Sequence, residues 1–96
     1  MILCLALVHH LVIGCGIPLL ELLEWLAGLG TSVVIEFVDK ADPMVGHVLG
    51  SRRDIYADYS PHQFEKGMND FFEVVRCERL GSGTRTLYYA VSRCVP

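Results

Sequence analysis

No charged residue occurs before Glu21 and no lysine or arginine before Lys40, although the 96-residue chain holds 8 basic and 11 acidic side chains. The shortage of basic charge, a formal net charge of -3, argues against nucleic acid as a partner, because neutralising phosphates needs a basic surface. The four cysteines, Cys4, Cys15, Cys77 and Cys94, form no Cys-x-x-Cys. Three of them sit in strand-like runs, so the plainer expectation is reduced, buried thiols in a cytoplasmic protein, without a disulfide framework. Internal repeats, low-complexity tracts and flexible linkers are also lacking, and residues 1–96 are expected to form a single α/β domain. What is abundant is apolar surface, 52% of residues against 20% charged, a composition that has to bury a core.

The uncharged stretch from Met1 to Leu20 is about the length of a membrane span. His9-His10 lies inside it, Gly14, Gly16 and Pro18 interrupt it, and no basic anchor flanks it, so no membrane partner is expected. Val12-Ile13-Gly14-Cys15 resembles a lipobox, but such signals begin with a basic segment and here Met1 leads straight into Ile2.

Ile2 to Val8 is a continuous apolar run, the pattern of a strand buried on both faces of a parallel sheet. The period then changes: Leu19, Leu22, Leu23, Leu26 and Leu29 recur at helical spacing, with Pro18 suited to the first turn and Gly30 to the end. Trp25 on this helix reads as packing. Thr31 to Val38 is β-branched and aromatic apart from Glu36 and reads as a second strand. Strand, helix and strand make one βαβ unit, whose right-handed crossover brings the ends of both strands to one sheet edge. Open α/β folds place ligands at that edge.

Asp42-Pro43 offers a cap and first residue for a short helix through about Leu49. Ser60-Pro61-His62-Gln63 starts another, with Phe64, Met68 and Phe71 as its inner stripe. Met44 and Met68 are expected as core filler. Phe72 to Leu80 and Thr84 to Val91 form a terminal hairpin around Gly81-Ser82-Gly83, so one strand runs antiparallel. The order is β-α-β-α-α-β-β.

Four groups of residues carry a family likeness. They are Leu5-Ala6-Leu7-Val8-His9-His10-Leu11; Val34-Ile35-Glu36-Phe37-Val38 with Lys40 and Asp42-Pro43; Arg53-Asp54-Ile55 with Asp58-Tyr59; and Arg85-Thr86-Leu87-Tyr88. With them the chain resembles the carboxy-terminal half of class I S-adenosylmethionine-dependent methyltransferases, in particular a nodulation-protein-like branch. The resemblance implies a Rossmann-like sheet with an antiparallel last strand, of which this chain holds the last four strands. It also implies S-adenosylmethionine as cofactor and a small-molecule methyl acceptor as substrate. The family holds its cofactor mainly by a Gly-rich loop and an acidic residue in its first half, and neither is present here. Gly14-Cys15-Gly16 lacks the third glycine of a dinucleotide fingerprint and reads as a turn.

His9 and His10 are the candidate catalytic residues, since a neutral imidazole at the strand's carboxyl end could take the acceptor's proton near neutral pH. Each could equally be a packed histidine bonded to backbone. Glu36 and Asp39 are the candidate pocket-edge residues, Glu36 either lining the pocket or pairing with a basic side chain. A metal shared by His9, His10, Glu36 and Asp39 is not expected, because adjacent strand residues point to opposite faces. Arg52-Arg53 near Tyr56 and Tyr59 could meet an anion, though a solvated surface is the commoner use of such charge. An apolar first strand without neighbours is expected to self-associate. The chain is accordingly expected to be part of a larger methyltransferase, or else a non-enzymatic interaction or oligomerisation module.

Overall fold

A computed structural model describes residues 1–5, 7–50, 59–81 and 83–93. Its elements are β1 (Ile2–Cys4), a π-helical turn (His10–Gly14), α1 (Leu19–Gly28), β2 (Ser32–Val38), α2 (Pro43–Leu49), α3 (Pro61–Phe71), β3 (Phe72–Arg79) and β4 (Arg85–Ser92). The strands form one mixed sheet in the order β1-β2-β4-β3. β1 runs parallel to β2, while β4 is antiparallel to both β2 and β3. Three strands therefore point one way and the last in sequence lies reversed between two of them.

The register assigns the two sheet faces. Val33, Ile35 and Phe37 of β2 pair with Ala90, Tyr88 and Thr86 of β4, and because paired residues share a face, these six side chains lie together. α3 covers this face: Phe64 sits with its ring centroid 4.7 Å from Phe37 and 5.1 Å from Tyr88. Val34, Glu36 and Val38 lie on the other face with Tyr89, Leu87 and Arg85.

α1 buries Leu19, Leu22, Leu23, Leu26 and Ala27, each large member contributing about 2 kcal/mol of transfer free energy. α1 and α3 pack closely because Gly67 has no side chain; a Cβ there would lie 2.6 Å from Leu23 Cδ1. Gly30 follows α1 at φ 69°, a left-handed conformation that lets the chain turn into β2. Ser92 donates its hydroxyl to the Ala27 carbonyl at 2.5 Å, tying the end of β4 to α1.

Both expected caps are present. Asp42 accepts from the Met44 amide at 2.9 Å and Ser60 Oγ from the Gln63 amide at 3.2 Å, each satisfying a helix N–H that has no intrahelical partner.

The amino terminus departs from its sequence pattern. β1 ends at Cys4, and Val8 and His9 are already helical. Leu3 is 64% exposed, so the strand is not buried on both faces. A short apolar run has no period that separates strand from helix, and His9 is buried by a helical turn after the strand rather than carried on its end. Trp25 and Leu29 are exposed instead of packed, as is Met44, while Met68 is buried. Cys4 is buried but Cys15 and Cys77 are exposed; Cys94 lies outside the described residues. No described helix is long and apolar enough to cross a membrane.

Candidate functional site

The ends of β2 and β3 and the start of the reversed β4 meet at the sheet edge where ligands bind in open α/β folds. Arg85 opens β4 and is the centre of the charge there. Its Nε donates to Asp42 Oδ2 at 3.1 Å and its Nη2 to Asp42 Oδ1 at 3.5 Å, a two-pronged contact. Nη1 lies 3.5 Å from Glu36 Oε1. Thr84 adds its hydroxyl to Asp42 Oδ2 at 2.6 Å. Asp42 thus caps α2 and clamps β4 with the same carboxylate. The hydrogen bonds from Arg85, Thr84 and the Met44 amide hold that carboxyl far below its ordinary range, even though it is buried. Asp42 in turn raises the Arg85 guanidinium above its usual value.

His9 lies within the field of this cluster. It is fully buried, and neither ring nitrogen has a hydrogen-bond partner among the described residues. Burial pushes its imidazole below the ordinary histidine value; His10 and Arg85 push the same way, against Asp42 and Glu36. The ring stands 4.3 Å from that of His10, which is exposed, with 38° between the planes. The π-helical turn shapes this corner: the Cys15 amide reaches back five residues to the His10 carbonyl at 3.0 Å, the widened pattern that recurs at functional sites. A neutral imidazole with two open nitrogens can accept a proton or bond a ligand once the segment opens to it.

Asp39 stands apart from the histidines. Its amide donates to the Thr84 carbonyl at 2.7 Å, and its carboxylate accepts from the Ala41 amide at 3.0 Å. It borders a cleft of about 250 Å³ on the α3 side, whose other walls include Phe37, Pro61, Glu65, Arg79 and Thr84. Tyr88 lies at the base of this cleft, where burial pushes its phenol up to about 12, the Cys77 thiol and Glu65 adding to the effect. Tyr59 donates its hydroxyl to the Val38 carbonyl and stacks on Phe37 at 5.0 Å, closing the core beneath the edge. Burial holds that phenol well above its ordinary value.

The expected site residues therefore separate into two groups. His9 and His10 come together and Glu36 joins their field through Arg85, whereas Asp39 borders the cleft on the opposite side of the sheet edge. Of the two readings open for Glu36, pairing with a basic side chain holds. Sequence reasoning gave Asp42 a cap, placed Thr84 and Arg85 in the last strand and counted Asp42 and Arg85 in the family likeness, but assigned none of the three to the site. Arg52, Arg53 and Tyr56 lie outside the described residues. Among the described residues no group of three or more histidines, cysteines or carboxylates could hold a metal ion.

No family model matches the chain. No solved structure matches it. The chain is similar to the nodulation protein NoeA of Rhizobium meliloti (strain 1021), with 36% identity over 87 residues, 91% of this chain. It spans only 18% of that protein's length.

Proposed function

We propose that this chain is the carboxy-terminal portion of an S-adenosylmethionine-dependent methyltransferase and supplies the walls of the pocket on the acceptor side. The observation that carries the reading is the sheet: three strands point one way and the last in sequence runs against them, the arrangement that the likeness to class I methyltransferases implies. Similarity to a nodulation protein accords with the branch to which the residues point.

The described residues do not make a complete cofactor site, since Gly14-Cys15-Gly16 lies at the end of the π-helical turn and leads to Pro18. The cofactor, held elsewhere in the enzyme, supplies the methyl group. The chain's own contribution is alignment and proton handling. Asp42 and Glu36 fix Arg85, and His9, neutral through burial, is the acceptor for the proton lost by the substrate.

Photo-crosslinking of methyl-labelled S-adenosylmethionine tests this on three polypeptides: the 96-residue chain, the Rhizobium nodulation protein, and that protein with its matching segment replaced by this chain. The expected result is labelling of both long proteins and not of the chain alone. In the exchanged protein His9→Ala keeps the label and loses transfer of the methyl group. Absence of label from both long proteins overturns the reading.

A further inference from the structure

The cleft of about 250 Å³ that Asp39 borders takes its described walls from the end of β2, from α3 and from the β3–β4 hairpin, and none of them from β1. Its shape is therefore independent of what lies against the outer edge of the sheet. Thr86 pairs with Phe37 on one side and with Arg79 on the other, which sets the three side chains in one row on the face that α3 covers. Asp39 follows Phe37 by two residues and borders the cleft from the β2 side. Asp39 and Arg79 thus stand on either side of β4, two strand spacings or about 10 Å apart at the backbone. Phe37 and Tyr88 make the floor, and Glu65, one turn into α3, belongs to the opposite wall. The charges at this cleft are not spent on one another. Arg76 and Glu78, on the other face of β3, pair together. Among the described residues the side chains of Arg79 and Glu65 make no hydrogen bond or salt bridge, and the Asp39 carboxylate accepts only from the Ala41 amide, which leaves most of its acceptor capacity open.

We infer that this cleft binds a small ω-amino carboxylate, with its carboxylate on Arg79, its ammonium on Asp39 and its methylene chain laid across β4 over Phe37 and Tyr88. Opposite charges on the two sides of one strand select a ligand whose own charges lie at opposite ends. The guanidinium fork matches a carboxylate, and the aromatic floor takes the methylenes out of water. At the ~30 Å³ that a water-sized group occupies, the cleft holds roughly eight non-hydrogen atoms. Glu65 adds a second carboxylate, so the ammonium end is the more strongly held. Arg85 and Glu36 lie on the other face of the sheet, which separates this cleft from the site proposed for the methyl acceptor, and the inference does not depend on methyl transfer.

Titration of the 96-residue chain with 5-aminopentanoate, a ligand of that size, is expected to move the amide resonances of Arg79, Thr84 and Thr86 and to leave those of α1 in place. Pentylamine, which lacks the carboxylate, binds about tenfold more weakly, and pentanoate, which lacks the ammonium, more weakly still. Arg79→Gln and Asp39→Asn each weaken binding of 5-aminopentanoate about tenfold with the remaining resonances unmoved, whereas Arg76→Gln, on the other face of β3, leaves it unaltered. Calorimetry on the Rhizobium nodulation protein carrying this chain in place of its matching segment gives the same affinity. Absent shifts overturn the inference, as does either single-charge ligand binding as tightly as 5-aminopentanoate, or binding that Arg79→Gln and Asp39→Asn leave unmoved. So does binding to the chain alone that the long protein lacks, since the rest of that protein then fills the cleft.

Discussion

The junction of β2 with β4 and the segment from Met1 to Ile17 are held by different physics. At the junction one carboxylate, Asp42, accepts from an amide, a hydroxyl and a guanidinium, and a stack of Tyr59, Phe37, Phe64 and Tyr88 lies in the core beneath. In the amino-terminal segment Val8, Val12 and Ile13 are buried, but Leu3, Leu5 and Leu7 before them face solvent and the one buried polar side chain, His9, has no described bond. Directional contacts give the first region a single arrangement. Non-directional burial leaves the second open to further partners and to rearrangement.

The contrast can be broken most severely at the aromatic stack. Phe64→Ala is expected to cost about 4 kcal/mol, since it empties a site at the centre of the core; urea unfolding checks this, and a loss below about 1 kcal/mol would mean that the stack is not the anchor. Asp42→Ala comes next, at about 3 kcal/mol, because it strands Arg85 beside Glu36 alone and removes a helix cap. Asp42→Asn, which keeps the cap, should cost less in the same assay.

Acid sharpens the comparison between the two regions. His9 has a folded pKa below its ordinary 6.5, so the unfolded chain binds the extra proton first and stability declines as pH falls below that value. Asp42 is depressed from 3.8; its contribution is present above that value and is lost as pH falls through its folded pKa. Stability followed from neutral pH downward should therefore fall in two stages. His9→Leu should abolish the earlier stage alone.

That same substitution gives the smallest expected effect on stability at neutral pH. An imidazole with no described hydrogen bond gains little from its polarity, so His9→Leu is expected to be neutral or to stabilise by about 1 kcal/mol. Thermal unfolding checks it. A loss of 2 kcal/mol or more would show that the ring holds structure rather than waits for a ligand.

Much of the fold was legible because its signals are local. The stripe Leu19, Leu22, Leu23, Leu26 has helical spacing, Asp42 and Ser60 stand directly before Pro43 and Pro61, and the run from Val33 to Val38 is β-branched and aromatic apart from Glu36. The end of β1 was not legible, since the run from Ile2 to Val8 offers apolar residues without a period and tertiary packing chose the helix for Val8 and His9. The charged cluster proposed as the candidate site was only partly legible. Its histidines and Glu36 could be named from position, but the partner of Glu36 lies 49 residues further on, and only the register Val38↔Arg85 brings it there. Asp42 carries a strong local signal as a cap, and nothing local reports that the same oxygens also receive β4.

The placement of β4 between β2 and β3 has a consequence for how the molecule is made. A nascent chain can assemble β1, α1 and β2 as soon as they leave the ribosome, since they are contiguous. β3 follows after α2 and α3 and finds no strand partner, because among the described residues the strand it bonds to, β4, has yet to be translated. The inner edge of β2 waits as well. The sheet therefore closes in a single late event, when Arg85 to Ser92 slide between two strands already in place. Until then Val33, Ile35 and Phe37 are open to chaperones and to other unfinished chains, and that interval of synthesis is when the protein is most exposed to misassembly.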